Sequence, residues 1–205
     1  MLKHLLHRVI PGKRLLPRTP AQADPPWRGA IFTIEQLELH ARELAALHTL
    51  GRRRGGDPLL GRLADSERVI ARCHEQMSEA QAAGRRPTPA AAWLFDNHYL
   101  VEEQVFLARK HLPRGYSRQL PRLADGPSAG LPRAYDVVLG FIAHVDGRVD
   151  GVSLARYVAA YQSVTNLTLG ELWSVPIMLR LALIENLRHI SLSMSWQATQ
   201  RESAV

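Results

Sequence analysis

His98 and Glu102 stand four residues apart, and at helical spacing they could combine an imidazole that titrates near neutrality with a carboxylate that orients it. The commoner role of such a pair is a surface i,i+4 contact. No nucleophile, cofactor cradle or oxyanion device accompanies it, so a small enzyme built on these two residues is the weakest of the functional readings. Nine histidines and one cysteine, Cys73, invite a search for metal ligands. The sequence contains no His-Glu-x-x-His, no Glu-x-x-His and no Cys/His ligand spacing, so neither a metal nor a cofactor is expected. The stretch DGRVDG at 146–151 has the outline of a calcium loop, but Arg148, Val152 and Tyr157 stand where oxygen ligands are required, and it reads as a turn. Serine elbows, phosphate loops and dinucleotide fingerprints are missing as well. More unusual are polar groups on apolar faces: Asn97 and Gln104 in a third helix, Arg180 and Glu185 in a last one. Buried charge is costly unless paired, so these residues are expected to satisfy one another or a neighbouring domain. Together with Tyr116, Arg118, Glu171 and Trp173 they form the candidate binding or interface set, and no residue is assigned to catalysis.

The elements that must carry these residues are helical. Leu and Ala supply 30 and 25 of the 205 residues against 6% aromatics, and straight-chain and small side chains lose least freedom in a helix. Thr33 with Gln36 makes a capping box before Leu37, His40, Leu44, Leu47 and Leu50, with Gly51 as the stop. Asp57-Pro58 supplies an N-cap and a first-turn proline for a second helix ending at Gly84, expected to pair with the first. Thr88-Pro89 repeats the device for a third helix over 90–111. Residues 112–131 are rich in Pro, Gly and Arg, a loop whose length implies tight packing or function, with Tyr116 and Leu120 as its anchors. Pro132 opens a fourth helix, and Asp150 or Ser153 caps a fifth that should form a hairpin with it. Thr168 with Glu171 begins the last helix, which Pro176 should kink or split. The expected fold is all-α, about six helices in antiparallel pairs around a central apolar C-terminal helix. Residues 31–190 form its domain, flanked by a flexible basic Pro-rich tail (1–30) and a polar tail (191–205).

The formal charge of +7 arises from 26 basic and 19 acidic residues, and most of the excess lies before residue 30. The remainder is nearly balanced, which argues against nucleic acid as a partner, since phosphate binding needs a concentrated basic face. The basic tail and the adjacent Arg52, Arg53 and Arg54 could touch an anionic membrane surface. Lone Cys73 makes no internal disulfide and reads as a small buried residue. Residues 1–10 are amphipathic but carry charges that break any secretory h-region, and the apolar stretch 175–184 is far short of the ~20 residues of a membrane span.

Three runs resemble a known family: WLFDNHYLVEEQ at 93–104, LPRGYSRQLPRL at 112–123 and GELWSVPIMLRLALIENLR at 170–188. They are similar, in this order, to the N-terminal region of bacterial cyclic β-1,2-glucan synthases, and the resemblance covers roughly 34–189. That family consists of very large inner-membrane enzymes that build the glucan from UDP-glucose on a protein-linked primer, cyclise it and trim it with a phosphorylase-like domain. The resemblance implies a module or fragment preceding the transferase, itself non-catalytic, whose partner is the transferase portion on the cytoplasmic side of the membrane. From residue 191 the sequence departs from the family pattern, as a truncated or split gene product would. The alternative is a free-standing helical adaptor binding a protein or an anionic surface through its basic segments.

Overall fold

The computed structural model describes residues 29–51, 57–146 and 148–203, with side chains described as far as Met194. Seven α-helices hold most of the described residues: α1 (Ile34–Leu47), α2 (Pro58–Ala82), α3 (Pro89–Asp96), α4 (His98–His111), α5 (Arg133–Ile142), α6 (Gly151–Gln162) and α7 (Leu169–Ser203). The all-α expectation holds. Two short strands, β1 (Leu50–Gly51) and β2 (Arg122–Leu123), pair antiparallel, with Leu50 opposite Leu123 and Gly51 opposite Arg122. Residues 1–28 and the Arg52, Arg53 and Arg54 cluster lie outside the described residues.

Local chemistry sets most helix starts. Thr33 accepts from the Gln36 amide at 3.4 Å while its own amide donates to the Gln36 side chain at 2.9 Å, closing the capping box. Thr88 caps α3 ahead of Pro89, and Asp150 accepts from the Val152 and Ser153 amides at 3.0 and 2.8 Å to start α6. Asp57 precedes α2 but does not bond to it. Its carboxylate accepts instead from the Ser117 hydroxyl at 2.6 Å and the Gly115 amide at 3.3 Å, tying down the 112–131 loop.

Four sequence expectations are corrected. The third helix divides at Asn97, whose side-chain amide donates to the Trp93 carbonyl at 2.8 Å and competes with helix continuation. The first helix stops at Leu47, leaving Leu47 74% exposed, and Gly51 belongs to β1, where a Cβ would come within 2.9 Å of the Ala124 backbone. The main partner of α1 is α6 and that of α2 is α7, because the β1 segment leads the chain away between the first two helices. Finally, α7 is not split at Pro176 and is helical through Ser203, into the segment expected as a polar tail. It packs on α2, α5 and α4, contacts that offset the roughly 3 kcal/mol that an interior proline costs.

The core runs through all seven helices. In α5 eight of ten residues are buried, making it the element enclosed on most sides. Leu120 is 3% exposed and Tyr116 packs half-buried against the core, so both expected anchors of the loop serve as such. Cys73 is buried on α2 against α7.

Candidate functional site

Two buried carboxylates on α7 organise the polar interior. Glu171, fully buried, receives a forked bond from Arg133 of α5, Nε to Oε1 at 2.8 Å and Nη2 to Oε2 at 2.6 Å. Oε2 also accepts from the Thr168 amide and hydroxyl at 2.8 and 2.9 Å, so the capping-box residue is simultaneously the ion-pair partner. Burial opposes the Arg133 charge, but the hydrogen bond and charge of Glu171 outweigh it and hold the guanidinium pKa above its ordinary value. Further along, Glu185 is 3% exposed and binds Arg62 of α2 and the Tyr135 hydroxyl of α5. Burial, then the adjacent Glu185 charge, pushes the Tyr135 phenol well above its usual range. These arrangements join α7 to α5 and α2, and they satisfy the carboxylates within the chain.

A second network crosses from α1 to α6. His48 Nε2 lies 2.9 Å from Asp136 and Nδ1 lies 2.8 Å from the Tyr161 hydroxyl, while Ser128 donates to the other Asp136 oxygen. An ionised Asp136 only accepts, which places a proton on Nε2. Burial pushes the Tyr161 phenol up to about 12. The chain resembles an acid–base relay, yet both imidazole nitrogens are engaged and Tyr161 is fully buried, so it presents no proton to a substrate.

A groove of about 580 Å³ runs between α2 and α4. Ile70, Val101 and Val105 line its floor, Phe106 stands as a wall, and the Glu67–Arg109 ion pair and His98 lie along it. His98 stacks on His74 with ring centroids 4.0 Å apart, and His74 stacks on Phe95 at 4.8 Å. Burial, then the proximity of His74, lowers the His98 pKa. Its Nδ1 is 3.6 Å from Glu102, an ion-pair separation rather than a hydrogen bond, and Glu102 is largely exposed. The surface-pair reading of these two residues therefore fits their geometry. Of the groove residues Phe106 is 65% exposed; elsewhere on the surface Tyr99 of α4 is 64% exposed, Trp93 of α3 58% and Trp173 of α7 76%.

Against this geometry stands one sequence similarity. Over 140 residues, 68% of its length, the chain is 36% identical to the cyclic beta-(1,2)-glucan synthase NdvB of Rhizobium meliloti (strain 1021). The chain is a homologue of a segment of that synthase. It spans 5% of the length of this relative, and no protein-family model matches it. Among the described residues, no group of three His, Cys, Asp or Glu side chains is placed to hold a metal ion, and no helix is long and apolar enough to cross a membrane.

The candidate residues of this synthase homologue do not converge on one point. Asn97 caps the break between α3 and α4, Gln104 is half-buried on α4, Arg118 is exposed and Trp173 projects from α7. Arg180 and Glu185 do not pair with each other: Arg180 Nη1 lies 3.3 Å from His111 Nδ1, while Glu185 reaches Arg62 and Tyr135. Arg62, Arg133 and Tyr135 escaped the sequence reading. The criterion that singled out Arg180, a charge inside an apolar helix, applies equally to Arg133 between Pro132 and Ala134, and to Arg62 beside Leu63.

Proposed function

We propose that the chain is a helical, non-catalytic module of a cyclic β-(1,2)-glucan synthase system that packs on the UDP-glucose-using transferase portion at the cytoplasmic face of the bacterial inner membrane. The similarity to a segment of NdvB supports membership of such a system. The observation that carries the packing role is the set of exposed aromatics on α3, α4 and α7, of which Phe106 lines the groove. Tyr99 and Phe106 are seven residues apart, two turns or about 10.5 Å along α4, and so share one face. Large aromatic side chains are enriched where proteins meet, and here they are left in water while the buried carboxylates Glu171 and Glu185 are already satisfied. This reading adds Trp93, Tyr99 and Phe106 to Trp173, which the sequence already places in the candidate interface set.

Co-purification tests this. The tagged chain is produced with the transferase-bearing remainder of a synthase, and a Tyr99→Ser/Phe106→Ser variant is compared with the parent. Retained helical signal with loss of most of the recovered partner supports the proposal; undiminished recovery, or no recovery with the parent chain, rejects it.

A further inference from the structure

The segment at residues 29–32, just before α1, is fastened to the end of α5 through one histidine. The Gly29 amide donates to the Ala143 carbonyl at 3.0 Å, and the Phe32 amide donates to the His144 carbonyl at 3.1 Å. His144 Nδ1 lies 2.8 Å from the Ala30 carbonyl, a bond that only an Nδ1–H can donate. Its ring lies flat on Phe32, with centroids 3.8 Å apart and planes 4° from parallel. The fit at the other end is equally close, because a Cβ on Gly29 would fall 2.2 Å from the His144 ring. A second imidazole, His40 of α1, meets His144 edge-on at 4.8 Å and Phe32 at 5.9 Å. Three rings from three parts of the chain thus close one joint.

We infer that His40 is the proton sensor of a latch, which holds residues 29–32 over the His40 and His144 rings against α5 while His40 is neutral and releases them as His40 takes up a proton. A proton on His40 is taken up partly out of water and edge-on against a second imidazole, and release of the segment returns the ring to solvent. The surroundings offer limited relief. On α1, Glu43 draws a proton toward His40; on α5, Asp136 does the same but is already bound to His48 and Ser128. On α6 the nearest group is Tyr157, a buried neutral phenol whose ring is 6.3 Å from that of His40, and Arg156 pairs with Glu38 of α1. Burial first, and His144 second, lower the His40 pKa below its ordinary 6.5. The sign follows from linkage: the released state binds the extra proton more readily, so the closed latch is favoured above about pH 6.5 and weakens as pH falls below it. Each additional proton taken up on release raises the open population up to about tenfold per pH unit in that window. The latch sits where the first 28 residues join the helical domain, so acidification would loosen that junction while leaving the helices in place.

Amide hydrogen exchange on the full 205-residue chain reads this directly. Between pH 7.5 and 5.0, after correction for the intrinsic pH dependence of exchange, protection at Gly29 and Phe32 should fall at least tenfold while that of Val138 in the core is unchanged. His40→Gln removes the titrating ring and should flatten the response, and His40→Asn serves if the first variant does not fold. Equal protection at both pH values, a parallel loss at Val138, or an undiminished response in the folded variants would overturn the inference.

Discussion

The α1–α5–α6 side and the α2–α3–α4 side of the molecule each contain a close pair of histidines, but they use them differently. On the first side His40 and His144 close against Phe32, while His48, Tyr161 and Asp136 bond one another and Tyr157 and Phe141 fill the space between the helices. On the second side His74 and His98 stack at the mouth of an open groove, and Phe106 remains in water. The same residue types finish a core in one place and leave a surface in the other. What separates them is the presence of a third helix: α1 has both α6 and α5 to cover it, whereas nothing in the described chain covers the trough between α2 and α4.

The largest effect should come from neither side but from the joint they share. Arg133→Met strands the Glu171 carboxylate without its partner, and a loss of about 3–5 kcal/mol in denaturant unfolding is expected. Survival of full stability would mean that the two sides do not depend on α7 as described. Next, Tyr161→Phe removes the hydroxyl bound to His48 and should cost about 1 kcal/mol, measured the same way. The matching change on the open side, Phe106→Ser, should stay within about 0.5 kcal/mol because the ring is already exposed. If Phe106→Ser proved as costly as Tyr161→Phe, the contrast between a closed and an open side would collapse.

Acid sharpens the comparison further. Burial depresses both His40 and His98, so each contributes stability that is complete above its unfolded value near 6.5 and is lost as pH falls through its lower folded value. His98→Gln should therefore reduce the acid dependence of unfolding without changing exchange at Phe32, and His40→Gln should change both. The smallest expected effect is that of Arg180→Leu. Its guanidinium is partly solvated and its recorded contact is His111, so the isolated chain should keep its unfolding midpoint almost unchanged.

What could be read in advance follows the range of the forces involved. The starts at Thr33, Thr88, Asp150 and Thr168 were legible because a cap and its amides lie within three residues of each other. The break at Asn97 was local too, but the side chain fitted an amphipathic stripe and the stripe was given precedence. The pairing of α1 with α6 and α2 with α7 was not legible, since apolar periodicity says which face is buried and not against what. Of the candidate residues, Glu185 is the charge expected to need a partner and Glu171 the expected cap, and the arginines that meet them, Arg62 and Arg133, lie 123 and 38 positions away. Of the exposed aromatics Trp93, Tyr99, Phe106 and Trp173, only Trp173 is among the sequence candidates, because sequence spacing cannot show which helix faces lack a neighbour.

Glu171 holds the first turn of α7 in its capping box and, with the same carboxylate, the Arg133 fork on α5. Helix initiation and long-range docking therefore share one atom, Oε2, and neither gains its full stabilisation before the other. The consequence is that no substitution of Glu171 acts on one alone: losing that carboxylate takes a cap from the first turn of α7 and the partner from Arg133 together.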